Sequence, residues 1–393
     1  MLLKNKKVFV AMSGGVDSSV AAALMKKANF KVVGVFMKPP SYAEGFGGHS
    51  GLCNWKEERE FALRAAAKLD IPLLTWDFSK EYEKHVARYM IEGYKNGITP
   101  NPDVMCNKFI KFGLFLDKAL KLGADYIATG HYVRIKPQRG PVPPHPRRTH
   151  YHSVRRGSPS RATPFGFSLH VAKDKNKDQS YFLYTLTQEQ LRHCLFPIGD
   201  YKKDEVRKMA KKFGLPNWDK KDSQGICFVG PLEVREFLKR YIRPKKGLVL
   251  RKSDGKILGE HDGAWFYTIG QRHGFNLNGG QAYYVVGKNI ENNVLYVDTG
   301  FENPKSEILN PKQIPNSKFQ VKEFNWINGW KNHLPLNCKV KIRYRQKDID
   351  SMITKNGSDL VYAEIKESNM PIAPGQAAVF YKGNEVLGGG IIQ

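Results

Sequence analysis

The sequence predicts an α/β fold: a parallel sheet with helices on both faces, followed by a small central domain and a C-terminal β-barrel. Three observations predict it. Over residues 6–135, short apolar runs alternate with helical stretches, the pattern of strand–helix units wound into a parallel sheet. After residue 228 the texture changes to short strands separated by Gly, Asn and Asp turns. From about residue 300 nearly every segment reads as strand, for example Cys338–Tyr344 and Ala377–Tyr381, which suggests a small closed barrel. The implied domains are 1–227, 228–298 and 299–393.

Each element has its own signal. Val8-Phe9-Val10-Ala11-Met12 is an apolar run of the kind found in a buried strand, and Val20–Met25 is alanine-rich and helical. Lys31–Met37 is a second strand, Asn54–Leu69 a helix with an alanine face, and Leu73–Trp76 a third strand. Ser79–Asn96 and Asn107–Leu122 read as helices, and Asp125–Thr129 as another strand. Ligands of such sheets bind beyond the carboxyl ends of the strands, so Ser13, Met37, Gly130 and His131 are expected on one edge. Residues 136–168 interrupt the pattern. They are rich in Pro, Arg and His and hold no acidic residue, as expected of a disordered basic insert. Lys202–Phe213 is an amphipathic helix ended by Gly214-Leu215-Pro216, and a further helix covers Glu233–Arg240.

Composition narrows the partners. Lys and Arg number 63 against 37 acidic residues, a formal net charge of +26. So strong a positive field suits a polyanion such as nucleic acid. No apolar run is long enough to span a bilayer, and the N-terminus carries no signal-peptide pattern. A cytoplasmic protein is expected. The five cysteines (Cys53, Cys106, Cys194, Cys227 and Cys338) are odd in number and contain no C-x-x-C pair, which argues against a disulfide scaffold and a zinc ribbon.

Ser13-Gly14-Gly15-Val16-Asp17-Ser18-Ser19 is the most informative stretch. Strand, glycine-rich turn and helix aim backbone N–H groups and a helix N-terminus at a phosphate. A serine-capped turn would account for three of these residues, but not for all seven after a strand. The stretch lacks the G-x-x-x-x-G-K-[ST] pattern of kinases and GTPases.

Two lone cysteines carry the second signal. In Asn101-Pro102-Asp103-Val104-Met105-Cys106-Asn107, Asn107 or Asp103 is placed to cap a helix, which puts Cys106 near a helix N-terminus. There the macrodipole favours the thiolate, and Asp103 is near enough to handle a proton. A buried structural cysteine beside a capping aspartate is the bland alternative. Cys227 lies in Asp222-Ser223-Gln224-Gly225-Ile226-Cys227-Phe228. Two thiols on separate loops suit sulfur transfer, one carrying sulfur and the other resolving it.

SGGVDSS, NPDVMCNKFIKF, ATGHY, NKDQSYFLY, the Cys227 loop and FYTIGQRHG occur here in one order. That conjunction resembles the tRNA-specific 2-thiouridylase family, within the ATP pyrophosphatase superfamily, over the whole chain apart from the basic insert. The resemblance implies an ATP pyrophosphatase-like catalytic domain. It also implies a sulfurtransferase that adenylates the C2 oxygen of a wobble uridine (U34) and replaces it with persulfide sulfur, releasing AMP and pyrophosphate. ATP would lie on Ala11, Met12, Ser13, Gly14, Gly15, Val16, Asp17 and Ser18, with Met37 and Gly130 around the adenosine and Mg²⁺ on the phosphates. Asn101, Pro102 and Asp103 would meet the target base, Cys106 would be the nucleophile and Cys227 the persulfide carrier. His131, Lys177, Asp178, Gln179, Arg343, Tyr344 and Gln376 would meet the tRNA. No dedicated metal-ligand set is expected, although some related thiolating enzymes place an iron–sulfur cluster on side chains equivalent to Cys106, Cys227 and Asp103. The implied partners are the tRNA anticodon stem-loop and a persulfide donor or sulfur-relay protein, with the chain a monomer that makes no membrane contact. The chain departs from the family pattern in its insert and at Gln224, where a small hydroxyl residue is usual. Two other readings share parts of the pattern. One is another RNA-modifying or amidotransferase ATP pyrophosphatase, which needs neither thiol. The other is a non-catalytic RNA-binding protein with a degenerate loop.

Overall fold

The computed structural model describes residues 5–38, 40, 55–139, 165–221, 234–275, 277, 282–299, 317–356, 360–365 and 372–393. Strands β1 (Lys7–Ala11), β2 (Lys31–Lys38), β3 (Leu73–Asp77) and β4 (Tyr126–Ala128) belong to one sheet. Strands β5 (Val133–Arg139) and β6 (Phe165–Val171) form an antiparallel hairpin, and β7 (Cys194–Leu195) completes the first sheet. Its order is β3-β2-β1-β4-β7, with every pair parallel.

The central strand shows why the sheet needs cover on both sides. Val8, Val10 and Met12 point into a core built from the alanine faces of helices Val16–Lys27 and Trp55–Lys68. Phe9 and Ala11 point the other way, into a core with Trp76, Val86, Ile110 and Phe115. Alternation of period two with both neighbours apolar is the signature of a strand buried on both faces.

Two long helices depart from the expected form. Ser79–Tyr82, Glu83–Ala87 and Arg88–Lys95 run on as one helix with a π-helical middle. Pro102–Met105, Cys106–Leu114 and Phe115–Lys121 do the same, and Cys106 opens the π-helical stretch. The second helix therefore begins five residues earlier than the expected Asn107. The insert is also shorter than expected. Residues 136–139 and 165–168 are paired strand, Lys136 opposite Ser168 and Gln138 opposite Gly166; the rest of the insert lies outside the described residues.

Strands β8 (Gly247–Arg251), β9 (Ile257–His261), β10 (Tyr284–Asn289) and β11 (Val294–Asp298) form a second sheet in the order β10-β11-β8-β9. The C-terminal strands are β12 (Ser317–Trp326), β13 (Leu336–Lys341), β14 (Ile349–Asn356), β15 (Leu360–Ile365), β16 (Ala377–Lys382) and β17 (Glu385–Ile392). They run β12-β15-β14-β13-β16-β17, and β12 pairs again with β17. Closure removes the exposed edges of an open sheet. Phe319, Val321, Val340, Ile353, Phe380 and Leu387 fill this barrel. Strand β17 also pairs with β6, Glu385 opposite His170 and Val386 opposite Leu169, which joins the hairpin of the first domain to the barrel. The expected boundary at 227/228 falls in residues 222–233, outside the described residues.

Candidate active site

The glycine-rich loop joins β1 to helix Val16–Lys27. Its main chain is shaped by its own serines. The Ser13 N–H donates to Ser18 Oγ (3.2 Å), and the Ser18 and Ser19 hydroxyls both donate to the Gly15 carbonyl (3.0 and 3.1 Å). Gly15 is the N-cap and makes no side-chain cap bond, so the first turn of the helix faces the loop through backbone alone. Gly14 has φ +84°, and a Cβ there would stand 2.1 Å from the Glu58 carbonyl oxygen. Only glycine fits that position. Gly130, just past β4, lies against the same turn: a Cβ there would be 2.7 Å from the Ser18 nitrogen. The ends of β1, β2 and β4 are neighbours in the sheet, so the loop, Met37 and Gly130 share one edge as expected.

Three functional candidates escaped sequence reasoning. Lys203, at the start of helix Lys203–Lys212, is buried and contacts both oxygens of Asp17 (2.8 and 2.9 Å). The Tyr132 hydroxyl donates to the same carboxylate at 2.8 Å. Asn217, fully buried, donates from Nδ2 to the Gly14 carbonyl (2.9 Å) and to Ser19 Oγ (3.0 Å). Tyr132 was visible within the ATGHY motif. Lys203 carried no signal, because a lysine at the end of a basic amphipathic helix reads as surface.

The cysteine helix starts differently from the expectation. Its cap is Asn101, whose Oδ1 accepts from the Val104 N–H at 3.3 Å, with Pro102 in the first helical position. Neither Asn107 nor Asp103 caps it. Asn107 is buried inside the helix and donates to the Phe182 carbonyl at 3.4 Å. Asp103 lies in the first turn, where an acidic group suits the macrodipole. Cys106 is completely buried, one turn further in. Cys227 and Cys53 lie outside the described residues. Among the described residues, no group of three or more His, Cys, Asp or Glu stands together as a metal site.

The cysteine helix touches the loop edge through His131, next to Gly130. Its ring lies 5.7 Å from that of Phe112, on the cysteine helix, and Nδ1 is 2.8 Å from Thr129 Oγ1. Burial, with help from Lys111, holds the imidazole well below its ordinary pKa, so it is neutral at neutral pH.

The expected RNA-contacting residues divide into two groups. Gln179 pairs with Tyr132 in both directions, accepting its N–H at Oε1 (3.0 Å) and donating its own N–H to the Tyr132 carbonyl (2.9 Å). It thereby steadies the tyrosine that holds Asp17. Asp178 is buried and accepts from Ala172 N–H (2.9 Å) and Ser180 Oγ (2.7 Å). Burial raises its pKa against those hydrogen bonds. Lys177 is half-buried on the same segment. Tyr344 packs at a tilt against Phe182 (4.4 Å), and Arg343 donates to the Ile269 carbonyl, in the connection between β9 and β10 (2.7 Å). Gln376 donates to the Thr99 carbonyl (2.7 Å), beside the loop that leads to Asn101.

Comparison with known proteins follows this layout. Residues 6–231 match the model described as a tRNA methyl transferase HUP domain, 235–299 a tRNA methyl transferase PRC-barrel domain, and 316–392 an aminomethyltransferase beta-barrel domain. A tRNA-specific 2-thiouridylase MnmA of Bacillus licheniformis is 42% identical over 390 residues, 99% of this chain and 95% of its own length. The Bacillus subtilis protein of the same name is 40% identical over 392 residues, again 99% and 95%.

Proposed function

Because the chain belongs to the tRNA-specific 2-thiouridylase family, we propose that it converts a wobble uridine of tRNA to 2-thiouridine at the edge shared by the glycine-rich loop and the Cys106 helix. The juxtaposition of these two constellations across the His131–Phe112 contact carries the reading.

The chemistry follows from electronics. The C2 carbonyl of uridine has a poor leaving group. Its oxygen attacks the α-phosphorus of ATP and pyrophosphate departs, leaving AMP on C2–O. The loop backbone from Ala11 to Ser18 receives the phosphates, with Met37 and Gly130 beside the adenosine. Preorganised N–H donors stabilise charge as it develops on the departing pyrophosphate. When bound, Mg²⁺ would neutralise further phosphate charge, and Asp17 would offer it a carboxylate oxygen. Lys203 and Tyr132 hold that carboxylate in one orientation.

Asn101, Pro102 and Asp103 receive the base, which must leave the anticodon stack to be reached. The terminal sulfur of a Cys227 persulfide attacks C2, and AMP leaves. The Cys106 thiolate then attacks Cys227 Sγ. This breaks the S–S bond, leaves sulfur on C2 and forms a Cys106–Cys227 disulfide, which a thiol reductant resets. In the other order, Cys106 attacks first and the sulfide released displaces AMP. Asp103, in the first turn of the same helix, takes the proton of Cys106. The surface around Lys177, Gln179, Arg343, Tyr344 and Gln376 meets the RNA, with Asp178 ordering the segment from within.

The divisions at 227/228 and 298/299 keep the catalytic groups in the first domain, which shares the RNA surface with the barrel. The protein acts as a cytoplasmic monomer supplied by a persulfide donor. No helix among the described residues is long and apolar enough to cross a membrane. The test is the nucleotide product: with tRNA present, chromatography should find AMP and pyrophosphate, and ADP would overturn the α–β cleavage.

A further inference from the structure

We infer that the C-terminal barrel shapes the loop that presents the target-base residues, with Gly375 and Gln376 as positioning residues for Asn101–Asp103 and Cys106. The inference rests on the role just proposed for those four residues.

Thr99 is buried two positions before the helix cap Asn101. Both of its main-chain polar groups are satisfied by the barrel. Its N–H donates to the Pro374 carbonyl (3.1 Å), and its carbonyl accepts from Gln376 Nε2 (2.7 Å). The barrel side of this bridge is itself fixed. The Gly375 N–H donates to the Ile392 carbonyl, and the Ile392 N–H donates to the Gln376 carbonyl, each at 2.9 Å. Gly375 has φ +89°, and a Cβ there would lie 1.9 Å from Ile98 Cγ2. The close approach therefore depends on glycine. One residue on, the Ala377 carbonyl accepts from the Tyr181 hydroxyl at 2.8 Å.

The chain on either side of β10 braces the loop from the other side. Thr99 Oγ1 donates to Thr268 Oγ1 (3.4 Å), and Gly97 lies against Ile290. The path from barrel to thiol is short: Gln376 to Thr99, Pro100 to Asn101, and Asn101 into the helix that carries Cys106. A buried main-chain carbonyl left without a donor is expensive, so without Gln376 the loop must find another shape.

The test uses the full chain and Gln376→Leu, which keeps the bulk and loses the donor. Amide exchange across residues 98–107 of the free protein should quicken about ten-fold, with the rest of the chain unchanged. Single-turnover thiolation at saturating tRNA should fall ten-fold or more, a loss that the RNA contact proposed for Gln376 would not produce by itself, since saturation removes any effect on Kd. Unchanged exchange overturns the clamp. A weaker Kd with an unchanged saturated rate also overturns it, because Gln376 would then act only on RNA. Gly375→Ala, which drives a methyl group onto Ile98, gives the same readings where Gln376→Leu fails to fold. The exchange measurement needs no tRNA, so it stands apart from the reaction scheme. Full thiolation by Cys106→Ser would refute that scheme and leave the clamp untouched.

Discussion

Asp17 and Lys203 face each other with side chains 31% and 10% exposed, so each is placed by the other. Lys203→Met should abolish AMP formation and leave the fold intact, since the methionine fills the same space. Asp17→Ala should also abolish it, and should lower stability by roughly 1–3 kcal/mol because a buried ammonium loses its partner. AMP formation at the wild-type rate by Lys203→Met would show that the lysine only packs. The cysteines separate by environment. Burial raises the Cys194 thiol above its ordinary pKa and pushes that of Cys338 up to about 11. Both should resist iodoacetamide at pH 8, and Cys194→Ala and Cys338→Ala should thiolate normally. Cys106→Ser should adenylate tRNA and still accept persulfide on Cys227, whereas Cys227→Ser should adenylate and carry no sulfur. A silent Cys106→Ser, read by nucleoside analysis, would remove it from the relay. At this scale the sequence displayed the groups proposed to do the chemistry. It did not display Lys203 or Asn217, because their roles arise from burial against a loop about 190–200 residues away, which no local pattern records.

Among the elements, the basic insert and its hairpin give the clearest lesson. Composition predicts disorder over 136–168, yet the ends of that stretch are strands held to β17, and the Gln138 side chain reaches Glu385 (3.3 Å). Tertiary pairing overrides composition there. A deletion that tests the insert must therefore spare the strands and remove only 140–164. That variant should bind tRNA with a flatter salt dependence, the slope falling by about 0.9 for each duplex phosphate that the insert no longer neutralises. It should turn over normally at saturating tRNA; loss of turnover in a protein that melts cooperatively would make the insert part of the catalytic apparatus. The cysteine helix shows a subtler limit. Asn101, Asp103 and Asn107 are all good capping residues, and the choice among them was settled by Pro102, whose missing N–H costs nothing at the first helical position.

At the scale of the whole molecule, connections from all three sheets meet around residues 97–101. Thr268 and Ile290 come from one side and residues 374–376 from the other. The alternation of apolar runs made the first sheet legible, and the strand-rich C-terminus made the barrel legible. Their junction was not, because it is built from single glycines and main-chain bonds. Lys288 belongs to this junction: its Nζ donates to the Tyr267 carbonyl (2.8 Å), and burial lowers its pKa to about 8. A base held below its unfolded pKa binds fewer protons folded than unfolded, so stability should rise as pH climbs from about 8 towards 10. Thermal melts should show that rise, and Lys288→Met should remove its share; an identical slope in the variant would mean that Lys288 stays charged. Sulfur transfer to an ATP-activated uridine is tested by following the tRNA and nucleotide products together. The full chain is incubated with unmodified tRNA, ATP and a persulfide donor, and the tRNA nucleosides are analysed by mass spectrometry alongside the nucleotide products. The expected outcome is 2-thiouridine at the wobble position with one AMP formed for each sulfur installed. Unthiolated tRNA, or thiolation that proceeds without ATP, would contradict it.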